Sequence, residues 1–163
     1  MTQDIALTGS DASALPVMTE NSELLTVMLG DQIFGIPILK VQDVLGQQQV
    51  TRVPLAPAEV AGSLNLRGRI VTALRVRTRL GLPPIAAGTQ EMSIVVESEG
   101  ELYSLIFDAV GDVLTLNIQD FEQNPRTLDP KFREVSDGIY RLSDKLLVVL
   151  DIEKLLSGIS PEQ

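Results

Sequence analysis

Two blocks of this chain recur in the same order, and that repetition limits its fold more than any other feature. Val41-Gln42-Asp43-Val44-Leu45 returns as Val110-Gly111-Asp112-Val113-Leu114. Upstream at the same offset, Ile33-Phe34-Gly35-Ile36 matches Leu102-Tyr103-Ser104-Leu105 in size and polarity. Downstream, Gly62, Leu64 and Leu66 find their counterparts in Gly138, Tyr140 and Leu142, and Arg69–Val76 in Lys145–Ile152. Two copies are too few for a solenoid. They predict two similar units packed as a pseudo-two-fold pair.

The local pattern says what each unit is made of. Short apolar runs alternate with turn signals from Leu24 onward, the signature of an all-β chain with short helices. Strands are expected at Leu24–Leu29, Ile33–Ile38, Val41–Leu45, Ser63–Leu66, Ile70–Val76, Met92–Val96, Leu102–Phe107, Val110–Leu116, Ile139–Leu142 and Leu146–Leu150. Gly30-Asp31, Arg67-Gly68-Arg69, Glu97–Glu101 and Ser143-Asp144-Lys145 supply hairpin turns. Ala58–Ala61 reads as one helical turn and Ile152–Leu156 as a final short helix. The expected architecture is two β-barrel subdomains of about five strands each, because closing a small sheet removes most of its free edges. A Pro/Gly/Ala-rich bridge, Pro83-Pro84 to Gly88, suggests subdomains at 22–82 and 89–157, with strands open to exchange between them. Residues 1–21 and 158–163 read as tails. A crevice between two such barrels is a natural groove for a ligand or partner.

At 163 residues the chain fits one ordinary domain. It has no Cys and no His, which removes disulfides, thiolate nucleophiles, the commonest general base and the commonest transition-metal ligand. No phosphate loop, nucleophile elbow or calcium loop is present, and no cofactor or metal site is expected. Asp108 and Asp112 share a strand face but lie roughly 13 Å apart at the usual rise, so they read as solvated rather than catalytic. The net charge of −9 is uneven. Residues 51–82 hold Arg52, Arg67, Arg69, Arg75, Arg77 and Arg79 against Glu59 alone, while residues 83–163 hold fifteen acids against six bases. An acidic chain with six aromatic residues, none interleaved with the arginines, makes a poor oligonucleotide-binding barrel. The arginine belt suits an acidic protein surface better. No apolar run approaches the ~20 residues that cross a bilayer, so no membrane insertion is expected and the default compartment is the cytoplasm.

Several motifs then resemble one family. Leu29-Gly30-Asp31 and Ile36–Val44 look like the opening hairpin of CheW-like chemotaxis coupling proteins. Val50–Pro54 resembles the stretch before that family's Pro-rich loop, and Gly62-Ser63-Leu64-Asn65-Leu66-Arg67-Gly68-Arg69-Ile70-Val71 carries its most specific motif. Phe107–Val110 and Leu150–Leu156 fit its second half, so the resemblance spans roughly residues 22–157. It implies two SH3-like five-stranded barrels with a hydrophobic groove between them. It also implies a non-enzymatic adaptor that bridges a CheA-type histidine kinase, through the kinase's CheW-like regulatory domain, and the cytoplasmic tip of methyl-accepting chemoreceptors. The family pattern after Ile70-Val71 usually continues with Pro, two apolar residues, Asp and Leu. Here Thr72-Ala73-Leu74-Arg75-Val76 stands instead, and the inverted charge at Arg75 opens a second reading, a coupler for a dedicated or pilus-type chemosensory pathway.

Candidate docking residues follow. Val41 and Val110 hold equivalent places and read either as barrel core or as groove lining; for Val41 the resemblance favours the groove. Asp43 and Arg67 read as exposed charges or as an ion pair across neighbouring strands that holds the Asn65–Gly68 turn near the receptor site, worth about 3 kcal/mol if partly buried. Arg75, Arg77 and Arg79 alternate, so on a strand they would share one face, either solvated or turned to an acidic partner.

Overall fold

The computed structural model describes residues 20–157 and 159. The expected tails fall outside that range except for Glu20, Asn21 and Ile159, and Asn21 already belongs to the first strand. Ten strands form: β1 (Asn21–Leu29), β2 (Gln32–Pro37), β3 (Val41–Leu45), β4 (Val60–Leu66), β5 (Arg69–Arg75), β6 (Met92–Ser98), β7 (Glu101–Phe107), β8 (Ala109–Asn117), β9 (Ser136–Arg141) and β10 (Leu146–Leu150). Three short helices accompany them: α1 (Val76–Arg79), α2 (Pro130–Arg133) and α3 (Ile152–Leu156).

The strands make two five-stranded sheets, ordered β8-β1-β2-β10-β9 and β3-β6-β7-β5-β4. The sheets do not divide the chain at the Pro83–Gly88 bridge. Hairpin β1–β2 lies with β8, β9 and β10, and hairpin β6–β7 lies with β3, β4 and β5. Each half therefore completes the other's sheet. The exchange rests on two parallel pairings, which need long connections rather than tight turns. In one, Val71, Thr72 and Ala73 face Leu102, Tyr103 and Ser104; in the other, Leu147, Val148 and Val149 face Ile33, Phe34 and Gly35. These are the residues that match in the repeat, so equivalent positions occupy equivalent rungs.

Both sheets close the same way. An isolated bridge between Thr51 and Ser63 joins the edges of the second sheet, and one between Glu122 and Ile139 joins those of the first. At each crossing a glycine lets one backbone lie against another. Gly62 has φ +153° and Gly138 φ +154°, and a Cβ at either would collide with the carbonyl of Thr51 or Glu122. The repeated glycine thus marks barrel closure.

The central strands are buried on both faces, which is why Leu146–Leu150 reads as an unbroken apolar run. One face looks into its own barrel: Leu24, Tyr140, Leu147 and Val149 in the first, Leu64, Val71, Val95 and Leu102 in the second. The other face of both sheets joins the largest cluster, including Val27, Phe34, Ile36, Leu74, Ile94, Leu105 and Phe107. The expected groove between the barrels is therefore corrected: the seam is filled by this core, with Val41 and Val110 among the partly buried residues packed against it.

Two local expectations also change. Ala58–Ala61 is not helical: Ala58 and Glu59 turn, and Val60 enters β4 opposite Leu74. Nor does the strand run on through Val76, because α1 begins there. Helix α2 went unread, although Asp129-Pro130 is a cap followed by proline at the first helical position; the Asp129 carboxylate accepts from the Lys131 amide at 2.9 Å.

Candidate functional site

The Asn65–Gly68 turn is built by local chemistry. Leu66 pairs with Arg69, leaving Arg67 and Gly68 as a two-residue hairpin loop. Both have positive φ, +52° and +86°, as a type I′ turn requires. The Asn65 side-chain oxygen accepts from the Gly68 amide at 3.0 Å and pins the turn. Arginine is an unusual occupant of the left-handed region, which costs an L-residue roughly 1–2 kcal/mol.

Asp43 meets that arginine: its Oδ2 lies 2.9 Å from Arg67 Nη2, while its Oδ1 accepts from the Val44 amide at 2.9 Å. Strands β3 and β4 are not neighbours; they are opposite edges of the second sheet, and only barrel closure brings the pair together. The Arg67 side chain is 74% exposed, so the pair is a surface ion pair and contributes at most about 1 kcal/mol, less than the 3 kcal/mol of a partly buried one. Val41 and Val110 stand at matching places on the two sheets, opposite Val96 and Val27. Each is half-buried against the inter-sheet core, so each belongs partly to the core and partly to the rim. Ile70, across β4–β5 from Asn65, is 68% exposed beside the turn.

The arginine stripe is not a patch. Because α1 interrupts the strand, Arg75, Arg77 and Arg79 do not share a strand face. Arg77 grips Asp108 with two bonds, Nε to Oδ1 at 2.8 Å and Nη2 to Oδ2 at 2.6 Å, and donates to the Pro83 carbonyl. Asp108 also accepts from the Gly30 amide at 2.6 Å. The Arg77 hydrogen bond, and then the Gly30 amide, hold the Asp108 carboxyl below the usual carboxylate range against the opposing effect of burial. This lock ties α1 to the β1–β2 turn and corrects the reading of Asp108 as solvated: its side chain is 16% exposed and held by Arg77, a partner that the sequence did not reveal. Arg79 donates to the carbonyls of Leu155 and Lys154 at the end of α3. Arg75 forms no salt bridge among the described residues. Among the described residues no group of acidic side chains is arranged to hold a metal ion, and no helix is long and apolar enough to cross a membrane.

Residues 23–160 match the family model of the CheW-like domain. The chain belongs to the CheW-like family. It is 33% identical to the chemotaxis protein CheW of Klebsiella aerogenes over 146 residues, covering 90% of this chain and 88% of that one. It is 29% identical to the CheW of Treponema pallidum, covering 88% and 87%. The scaffolding protein TtCheW of Thermoanaerobacter tengcongensis superposes with a TM-score of 0.75 at 25% identity, covering 83% of this chain and 92% of the other. This CheW-like chain is accordingly a coupling scaffold of chemotaxis. Its relatives favour that role over a pilus-type or otherwise dedicated pathway. The departure at Arg75 has a structural meaning instead: the residue sits at the N-cap of α1, where its side chain makes no capping bond.

Proposed function

We propose that this chain is a cytoplasmic, non-enzymatic coupler that holds a CheA-type histidine kinase and the cytoplasmic tips of chemoreceptors in one assembly. Chemistry stays in the kinase active site. The coupler links the conformations of its two partners by binding both. The receptor's helical hairpin docks along the seam rim, with Val41 and Val110 supplying apolar contact and the Asp43–Arg67 turn supplying charge and register. The kinase's CheW-like regulatory domain pairs with a barrel elsewhere.

The observation that carries this reading is Arg67 itself. A non-glycine residue is kept at φ +52° on an exposed turn, braced by Asp43 beside a half-buried apolar rim. Leu55 and Glu99 share the positive φ, but of the three only Arg67 is held in an ion pair among the described residues, and that pair adds little stability, which supports a position used for binding.

Co-sedimentation with a receptor signalling fragment and with the kinase tests it. Asp43→Ala should lower receptor capture at least about tenfold, leave kinase pairing intact and change stability by less than about 1 kcal/mol. Unchanged receptor capture by both Asp43→Ala and Arg67→Ala would remove the turn from the docking site. Failure of the unaltered chain to bind either partner would sink the coupling role.

A further inference from the structure

The two barrels differ inside. In the first, Leu24, Leu116 and Val149 help fill the interior, and the space beside Gly35 is so tight that an added Cβ would come within 2.8 Å of Leu147 and 3.1 Å of Leu24. The matching positions of the second barrel hold Ser93, Gln47, Ala73 and Ser104. A cavity of about 210 Å³ opens there, walled by Ala61, Leu64, Ala73 and Ile106.

Its polar groups are specific. Ser93 shares a strand face with Val95, and Ser104 with Leu102, so both hydroxyls turn into the second barrel. They are 5% and 1% exposed, so both hydroxyls lie on the cavity wall away from bulk solvent. A hydroxyl on a cavity wall can both donate and accept a hydrogen bond, so the pair suits a group that does the same. Ser93 faces Ile106 and Ser104 faces Val95, making the serines diagonal neighbours roughly 7 Å apart, a span that one carboxamide bridges. Arg75 and Glu91 also line the cavity, opposite charges that form no salt bridge among the described residues, although Arg77 lies near enough to feel the Glu91 charge. A second cavity of about 140 Å³ shares Arg75, Glu91 and Ile106 with the first and is lined by Arg77 as well.

We propose that the second barrel binds a small zwitterion with a neutral hydrogen-bonding tail, an α-amino acid of the size and chemistry of glutamine. Arg75 takes the carboxylate, Glu91 the ammonium, the apolar walls the methylenes and the two serines the tail amide. The arginine that leaves α1 uncapped thereby has a use at the cavity wall.

The test is an amide-resolved NMR titration of the full chain with L-glutamine, in the absence of kinase and receptor, so that its failure leaves the coupling role untouched. Saturable shifts are expected at Ala73, Ser93 and Ser104, with a dissociation constant of about 1 mM or tighter. Glutaramate, which lacks the ammonium, 4-aminobutyramide, which lacks the carboxylate, and norleucine, which lacks the amide, should each bind at least about fivefold more weakly. Ser93→Leu, which copies the filled barrel, should abolish the shifts while leaving the β1–β2 amides in place. Arg75→Gln, an exposed change that cannot unfold the core, should weaken glutamine by about tenfold. No saturable shift up to about 20 mM, an analogue that binds as tightly as glutamine, binding that survives Ser93→Leu, or undiminished affinity in Arg75→Gln would each overturn the proposal.

Discussion

The first and second barrels share a backbone and differ in what they do with it. Matched residues sit on matched rungs, and both barrels close at a glycine. Past the last strand of each, however, the chemistry separates. Asp151 caps α3, its carboxylate accepting from the Lys154 amide at 3.1 Å, whereas Arg75 at the same place leaves α1 without a side-chain cap. Arg77 makes the lock with Asp108; the equivalent pair is Glu153, which accepts from the Ser98 hydroxyl, and Leu39, which is 92% exposed. Even the helices serve different ends, since Arg79 of α1 satisfies carbonyls at the end of α3. Barrel geometry needs only the apolar pattern and the crossing glycines. Caps, ion pairs and interior volume are free to diverge, so function enters through them.

The sharpest way to break the equivalence is at the crossings. Gly62→Ala and Gly138→Ala should each cost about 4 kcal/mol, lowering the melting temperature by roughly 10 °C. Gly62→Ala should be the worse, because its added methyl meets backbone alone, while the Phe121 ring beside Gly138 can shift in part. Equal, small losses in thermal melts would remove the glycines from barrel closure.

The unmatched lock should show the next largest effect. Asp108→Ala leaves Arg77 without its partner at a site where the two side chains are only 16% and 19% exposed, and should cost about 3 kcal/mol by denaturant unfolding. Its folded pKa lies below the ordinary carboxylate value. The stability from Asp108 is therefore fully present above that ordinary value and drains away as pH falls through the depressed folded one. Acid titration of Asp108→Ala should lose this component of the slope. An identical acid profile in both proteins would contradict the assignment.

The caps give a smaller contrast. Asp151→Ala should destabilise by about 1 kcal/mol, Arg75→Ala should do almost nothing, and Arg75→Asp should stabilise by a similar 1 kcal/mol by restoring the missing cap. If Arg75→Asp destabilised the chain, α1 would be held by contacts other than its first turn.

Arg67→Gly should have the least effect on stability, within about 0.5 kcal/mol of zero, because relief of the left-handed strain offsets loss of a surface pair. Receptor capture should nonetheless fall. A large loss of stability with capture retained would make the turn structural.

What the residues determined alone is everything periodic or local. Val41–Leu45 and Leu146–Leu150 are strands with the expected limits, and α3 spans the expected Ile152–Leu156. The Asn65–Gly68 turn and the doubled barrel were legible because apolar spacing and turn chemistry act within a few residues. Where each hairpin would lodge was decided by tertiary structure, since a strand's pattern specifies a buried face but not the neighbour that buries it. The same holds for charge. Arg77 alternates with Arg75 and Arg79 in the sequence, yet helix α1 and a distant Asp108 claim it. Asp43 and Arg67 come from opposite edges of one sheet and meet only when the curl closes. Filling of the seam and hollowing of one barrel belong to that level as well, because volume is a property of packed neighbours and no single stretch of chain carries it.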